Sequence, residues 1–515
     1  MRKLVLNRPI LCIFTMCLLS YLTAGIFFGN KILNTFGIHS IILMLAMVFF
    51  AKNPTDKVWI FSILLLEILT ISLFKLSDFL LLISLFVFVF IFIKKNIKSK
   101  KLVTLGNVTL SFLLHLYFID EIKFDKFQHD LIGILTYMYL FEEGISNFAP
   151  WYTTHLFHQP LHFAILQGFC KLTIYLWNSI LLSNESLQYV PLFYVTGTTL
   201  FITKILRLFK FSNIVFYSTT ILAVFNPTLT LFSNYLSNDT PMLFWGTVMI
   251  YFILLWYKTN RIKYIKLGAI CFGLGTLSKL SILITVPAIS FLFLLKLFDK
   301  KNIEKTIRAI ALFIIIAVPL SLLWVFRNHI LFDMQFYNVP NTSPNEQNFF
   351  FLSLYDRLTD LSLLKEPFID SPRISDANIV LSIIKTELFG EWDFRHLNKH
   401  IYTPSLVLYI MNIVIWIIGL LGTIYMIFKY RNKLNPLLAF FIILYLTSLL
   451  YMLKFAMDYP YVCSTDYRLI PLLIISHVVI LGSLIDNLKK VKFLFCGIAF
   501  LYAILSIGIY LTITI

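Results

Sequence analysis

Long apolar stretches alternate with short polar ones over the whole chain. Before residue 120 they lie at about 9–28, 36–52, 58–74, 79–93 and 102–119. Between residues 159 and 330 they lie at about 159–182, 188–206, 213–233, 241–257, 264–280, 282–298 and 307–326. The last four are near 403–428, 434–456, 469–486 and 491–514. A helix needs about 20 apolar residues to cross the hydrocarbon core of a bilayer. The pattern therefore predicts an all-α polytopic membrane protein. Two longer polar regions divide it into N-terminal helices (1–119), a first polar loop (120–158), a transmembrane core (159–330), a second loop region (331–400) and C-terminal helices (401–515). The second region contains Pro340, Pro344, Pro367 and Pro372, followed by LSIIKTELFGEWDF. It predicts a loop with one or two short helices rather than a globular domain. The first apolar run is longer than a signal peptide's and lacks a small-x-small cleavage site, so it reads as a retained span.

Composition agrees with the pattern. Hydrophobic residues make up 59% and charged residues 13%, against about a quarter charged in a soluble domain. The 43 Lys and Arg exceed the 26 Asp and Glu, giving a formal charge of +17. In a soluble protein that excess would suggest nucleic acid. Here the basic residues cluster in short loops between spans, where they set orientation. The reading is a partner of membrane lipid and no nucleic acid.

Charge also assigns sides. Arg2, Lys3 and Arg8 place the N-terminus in the cytoplasm, and five crossings bring residue 120 to the extracytoplasmic face. The basic run from Lys94 to Lys101 then falls inside. Strict alternation beyond that point would put Lys204, Arg207, Lys210, Arg261, Lys263 and Lys266 outside. Changing the crossing count by one between 159 and 210 restores every later loop, so one segment there is expected not to cross fully. Residues 120–158, 234–240, 331–400 and 457–468 then share the outer face.

The first loop carries the densest chemistry. It holds Asp120, Glu121, Asp125, Asp130, Glu142 and Glu143, and its last turn brings the histidines to four: His129, His155, His158 and His162. Asp130, behind Gln128 and His129, lies just outside a span, where an aspartate can accept a proton from a hydroxyl nucleophile; a solvated loop acid is the plainer alternative, for Asp120, Glu121 and Asp125 as well. In His158-Gln159-Pro160-Leu161-His162, Pro160 suits the first turn of a helix. His158 and His162 share a face if that helix starts early enough. Two such imidazoles suit either a phosphate or, with a further donor, a divalent metal. Asp239, Lys279, Arg327, Asp466 and Arg468 stand within or beside apolar spans. Ionisable groups at that depth usually face a cavity or a partner. Arginine suits phosphate, and snorkelling to the headgroups is the plainer alternative. No Walker A loop, dinucleotide fingerprint or HExxH is present.

The order of these pieces resembles the GT-C superfamily of membrane glycosyltransferases. Within it the likeness is to the protein O-mannosyltransferase and aminoarabinose-transferase group, glycosyltransferase family 39. The matching pieces are Gln128-His129-Asp130, His158 to His162, Asn226-Pro227 with Ser237-Asn238-Asp239, Gly275 to Lys279, Trp324 to Asn328, and Ser464 to Arg468 with Pro471. The chain departs from the family in its five early spans, where one is usual. It has Gln159 in place of the first proline of His-Pro-Pro-Leu, and His129 where an acid would pair with Asp130. The resemblance implies a GT-C-like helical bundle with extracytoplasmic catalytic loops. It implies transfer of a sugar from a polyprenyl-phosphate donor to a hydroxyl of a protein, lipid or glycan. Asp130 would be the general base. Arg327 and Arg468 would stabilise the departing lipid phosphate, Lys279 would join them in binding the donor, and His158 and His162 would orient the donor phosphate or bind a metal. The membrane would be a bacterial plasma membrane or the endoplasmic reticulum. A transporter or lipid flippase is the reading from another class. It predicts charge along a path across the bilayer and often inverted repeats, whereas these acids gather on one face and no repeat stands out.

Overall fold

Runs of Leu, Ile and Phe long enough to satisfy every backbone group within one segment become helices, the open-ended structure a bilayer tolerates. The computed structural model describes residues 100–122, 124–128, 130–145, 148–149, 158–177, 186–299, 303–334, 352–361, 364–369, 377–429, 435–488 and 491–514. The expected spans at 9–28, 36–52, 58–74 and 79–93 lie outside them, as do His129 and His155. In chain order the helices are α1 (Lys100–Glu121), α2 (Leu131–Leu140), α3 (Leu161–Trp177), α4 (Tyr189–Leu208), α5 (Asn213–Val224), α6 (Pro227–Asn234), α7 (Asp239–Thr259) and α8 (Ile262–Ser278). They continue with α9 (Val286–Leu297), α10 (Ile303–Phe332), α11 (Leu354–Thr359), α12 (Ile379–Phe389), α13 (Tyr402–Lys429), α14 (Pro436–Asp458), α15 (Leu473–Asp486) and α16 (Lys492–Thr514). Among the described residues no β-strand occurs, and nine helical stretches are long and apolar enough to cross a membrane. The chain is a multi-pass integral membrane protein. Its outward faces fit lipid: Ile307, Ile315 and Ile330 on α10, Ile417 and Leu421 on α13, and Phe493 and Ile504 on α16 are exposed.

Breaks fall where the sequence removes a donor or supplies a cap. Asn226 caps α6, its side chain accepting the Thr228 N–H at 3.0 Å, and Pro227 follows at the first helical position. One apolar stretch thus becomes two helices, α5 and α6. At Lys279 the backbone turns extended (φ −158°, ψ 133°), ending α8 before a 3-10 turn over Leu280–Thr285. The expected span at 469–486 contains only a 14-residue helix, α15. Asp466 caps a separate 3-10 turn over Tyr467–Leu469, and Pro471 lacks the N–H that a continuous helix would need.

Hydrogen bonds show which helix ends meet. At one end Lys100 Nζ donates to Phe211 O (2.6 Å), Lys258 Nζ to Leu208 O (2.5 Å) and Lys296 Nζ to Asn260 Oδ1 (2.7 Å). Ser212 Oγ and Lys492 Nζ both donate to Asp486 there (2.6 and 2.8 Å). The opposite end gathers the turn between α6 and α7, the end of α8, the end of α12 and the turn before α15.

Helices α2 and α3 break the alternation. At the start of α3 the His162 ring bonds Leu236 O in the α6–α7 turn. Near its end Thr173 Oγ1 lies 3.0 Å from Ser186 Oγ, just ahead of α4. Gln188, two residues on, donates to Asn234. The 17-residue helix α3 therefore begins and ends at the same end of the bundle. It packs on α2 through Tyr137 and Phe163, whose ring centroids are 4.4 Å apart, and leaves Leu172, Tyr175 and Leu176 exposed. This is the geometry of an interfacial helix pair rather than of two crossings, and it accounts physically for the parity of the charged loops.

Beneath the site end lies a buried carboxylate. Glu387 accepts hydrogen bonds from Asn226 Nδ2 (2.9 Å), Asn412 Nδ2 (2.8 Å) and Trp416 Nε1 (2.6 Å), and Thr228 Oγ1 donates to its carbonyl (2.6 Å). Burial raises its pKa, and the Trp416, Asn412 and Asn226 donors pull the other way without cancelling it. These bonds tie α6, α12 and α13 together. The Tyr467 N–H, donating to Thr386 Oγ1 at 2.9 Å, adds the turn before α15.

Candidate functional site

The turn from Asn234 to Asp239 is the point on which distant stretches converge. Gln128 clamps it from the first loop: its Nε2 donates to Asn234 O (2.6 Å) and its Oε1 accepts the Leu236 N–H (3.0 Å). Asn234 Nδ2 returns a bond to Lys126 O at 2.9 Å. On either side of this clamp the backbone is left-handed, with φ 55° at Phe127 and φ 53° at Asp130. Left-handed backbone costs free energy for a residue with a Cβ, less for Asp than for Phe, and persists where surrounding contacts hold it. The clamp supplies those contacts. It leaves Asp130 exposed at the N-cap of α2, with no side-chain cap bond.

Two ion pairs stand beside the turn. Asp239, at the first residue of α7, is buried; Ser237 Oγ donates to its Oδ2 (2.9 Å) and Lys279 pairs with its Oδ1. The break after α8 is what releases Lys279 to make that contact. In the second pair, Asp466 Oδ1 accepts the Arg468 N–H at 3.0 Å, while its Oδ2 lies 3.1 Å from Arg468 Nε. Arg468 Nη2 also lies 3.7 Å from Glu391 Oε1. Burial alone would lower the guanidinium's pKa. Glu391, Asp466, Asp239 and Asp130 outweigh that and raise it, so Arg468 stays charged while enclosed.

Glu391 owes its place to the end of α12. Gly390 adopts φ 59°, and a Cβ there would meet the Tyr235 hydroxyl oxygen at 2.7 Å. That conformation and that space both require glycine. Trp392 Nε1 then donates to the same Tyr235 hydroxyl at 2.9 Å, fixing the segment to the α6–α7 turn.

Of the residues singled out from sequence, Asp130, Asp239, Lys279, Asp466 and Arg468 form one charged cluster, with Gln128 bracing its turn. His162 is near it, but in a different role from the expected one. Its Nε2 lies 2.8 Å from Leu236 O, a group that only accepts, so Nε2 carries the proton and Nδ1 the lone pair. Burial lowers its pKa to about 4, against the opposing pull of the Leu236 carbonyl and Asp239. A neutral ring with an accepting nitrogen suits a hydroxyl, not a phosphate oxygen. His158 does not share a helical face with it, because α3 starts at Leu161; the His158 carbonyl accepts from Tyr137 Oη at 2.8 Å. Among the described residues no group of three or more His, Cys, Asp or Glu is arranged to hold a metal ion.

Arg327 also departs from expectation. Its Nη2 donates to Ile145 O (2.7 Å) and Phe148 O (2.5 Å), and its Nη1 to Asn328 Oδ1 (2.7 Å). Trp324 and Phe332 flank the guanidinium at 4.4 and 4.6 Å. It anchors the chain leaving α2. The sequence reading missed Tyr235, Glu387, Glu391 and Trp392. A signal for the last two was present, a glycine directly after an apolar helix followed by an acid and an aromatic.

No protein-family model matches the chain, and no curated protein sequence matches it.

Proposed function

We propose that the chain is an integral-membrane glycosyltransferase that moves a sugar from a polyprenyl-phosphate donor to a hydroxyl of a protein, lipid or glycan. The observation that carries this reading is the convergence of Asp130, Asp239, Lys279, Asp466 and Arg468, from separate stretches of sequence, at one end of the bundle. Those stretches are the ones in which the resemblance to the GT-C transferases resides. A charged cluster confined to one end also favours surface chemistry over a transport path. The lysine-rich opposite end is then cytoplasmic by the positive-inside rule. The site faces the extracytoplasmic or lumenal side of a bacterial plasma membrane or the endoplasmic reticulum.

The chemistry follows from the charges. The Asp130 carboxylate takes the proton of the acceptor hydroxyl. The acceptor oxygen attacks the anomeric carbon, and the bond from that carbon to the phosphate oxygen breaks with inversion. The electron pair leaves on the lipid phosphate, where Arg468 and Lys279 stabilise the developing charge. The prenyl tail remains in lipid throughout.

The test is transfer by purified protein in vesicles containing lipid-linked sugars extracted from the host. Asp130→Asn should lower turnover by about 100- to 10,000-fold while the protein stays folded and inserted. Full turnover by that variant would sink the assignment. Mass spectrometry of lipid-linked sugars in a strain lacking the gene should show the unused donor accumulating. Substrate counterflow without transfer would replace this reading with a transporter.

A further inference from the structure

At the lysine-rich end, Lys100, Lys258, Lys296 and Lys492 have partners in the protein. Lys210, Arg261, Lys263 and Lys266 are exposed to water. Lys204 and Arg207 do neither. They stand three residues apart on α4, so they share a face, and both are half-buried. The Lys204 ammonium folds back over the Phe201 ring, 4.3 Å from its centroid, and lies 5.5 Å from that of Tyr251 on α7. Phe201 is one turn further from the end of α4, so the ammonium points away from the water at this end. Snorkelling would turn it the other way. Among the described residues neither cation has a hydrogen bond or a carboxylate partner, and Arg207 acts on Lys204 as a like charge.

Three helices bring groups to this place. Arg207 from α4 and Tyr264 from α8 both act electrostatically on Tyr251 of α7. Phe252 stacks on Tyr264, with ring centroids 6.2 Å apart, and holds it there. Neither the Tyr251 nor the Tyr264 hydroxyl has a hydrogen-bond partner among the described residues. Leu267 and Ile270, about one and two turns along α8 from Tyr264, are exposed. The acids of this end are engaged elsewhere. Asp486 accepts from Ser212 and Lys492 and acts on Lys100, and Asp299 acts on Tyr257.

We propose that Lys204 and Arg207 bind the phosphate of an anionic glycerophospholipid in the leaflet at the lysine-rich end. The phosphodiester sits between the two cations, with the Tyr251 and Tyr264 hydroxyls as further donors. An acyl chain runs along α8 over Leu267 and Ile270. Cations at membrane depth need a counter-charge, and basic pockets between helices on the cytoplasmic side take it from lipid headgroups. The lipid also offsets the repulsion between Lys204 and Arg207. A soluble phosphate has the same headgroup chemistry without the chain. The site is at the opposite end from Asp130 and Arg468, so it stands independently of the proposed transfer.

The experiment is lipid titration of the full-length protein in a non-ionic detergent, read by native mass spectrometry and thermal unfolding. Wild type should bind phosphatidylglycerol saturably, and phosphatidylcholine at least about tenfold more weakly. Replacing Lys204→Gln and Arg207→Gln together should weaken phosphatidylglycerol binding at least about tenfold. Lys305 and Arg308 have the same spacing on α10 and are exposed, which makes them the matched control. Lys305→Gln with Arg308→Gln should change affinity less than about threefold. Should the first pair not fold, Arg207→Gln alone should still weaken binding about threefold or more. Equal losses in the two double variants, or equal binding of both lipids, overturn the site. Inorganic phosphate binding wild type as tightly as phosphatidylglycerol assigns a soluble anion and overturns the lipid.

Discussion

The two ends of the bundle handle charge in opposite ways. At the lysine-rich end, Lys100, Lys258 and Lys296 donate to carbonyls or an amide left over where helices end, and Lys492 shares Asp486 with Ser212. The Lys492 and Asp486 side chains are 20% and 29% exposed, so water still reaches them. Cations there complement helix C-termini and set orientation, which are inexpensive roles. At the other end the Asp239–Lys279 and Asp466–Arg468 pairs are enclosed, with Asp239 2% exposed and Asp466 4% exposed by side chain. Burying paired charges seldom stabilises a fold more than apolar packing would. The difference teaches that the first end is built for topology, while the second holds charges whose cost calls for a use other than stability.

Substitutions that strand a charge should separate the ends most sharply. Lys279→Met leaves Asp239 buried without its cation and should lower stability by about 3–5 kcal/mol. Lys492→Met at the lysine-rich end should cost no more than about 1 kcal/mol. Thermal denaturation of the two variants side by side in one detergent would show it. Equal losses would erase the distinction between enclosed and solvated pairs.

A smaller effect is expected at Gly390. Gly390→Ala places a Cβ in left-handed backbone against the Tyr235 hydroxyl and should cost about 1–3 kcal/mol. Gly168, at which a Cβ would meet no atom within 4 Å, is the matched control, and its alanine variant should be neutral or slightly stabilising. A Gly390→Ala midpoint equal to that of Gly168→Ala would show that the α12 terminus does not need its present form.

The smallest effect concerns pH. Burial alone would raise the Asp393 pKa, but Arg395, bonded to both carboxylate oxygens at 2.5–2.9 Å, holds it below its ordinary value of 3.8. A depressed carboxyl stabilises the fold above 3.8 and loses that contribution as pH falls through its lowered value. Hydrogen exchange over 391–398 should therefore accelerate on acidification below 3.8, and Asp393→Asn should remove the dependence. An unchanged pH profile in the variant would exclude Asp393 as its source.

Much of the bundle was legible because its signals are local. Apolar length marks α1, α4, α7, α10, α13, α14 and α16, and each lies within a few residues of its expected span. The break at Asn226-Pro227 was not expected within the span at 213–233, although capping and proline chemistry explain it. Charge parity marked a missing crossing between 159 and 210, which α3 accounts for by returning to the end where it starts. Asp239, Lys279, Asp466 and Arg468 were visible because a charge beside an apolar span is rare. What they touch was not visible. Arg327 and Arg468 each follow an aromatic residue in the sequence, yet one grips the carbonyls of Ile145 and Phe148 and the other meets two carboxylates.

The sequence by itself determined that this is a multi-pass helical membrane protein, where its longer helices run and which residues bring charge close to them. Hydropathy, proline and capping act over a few neighbouring residues, so they can be read along the chain. Tertiary structure alone decided which charges become partners. Gln128 reaches the α6–α7 turn across 106 residues and Asn226 reaches Glu387 across 161. Such bonds depend on how helices pack, and no local preference encodes them. The same packing turned His162 into a neutral acceptor, set Arg327 against the carbonyls of Ile145 and Phe148, and brought Glu391 to Arg468.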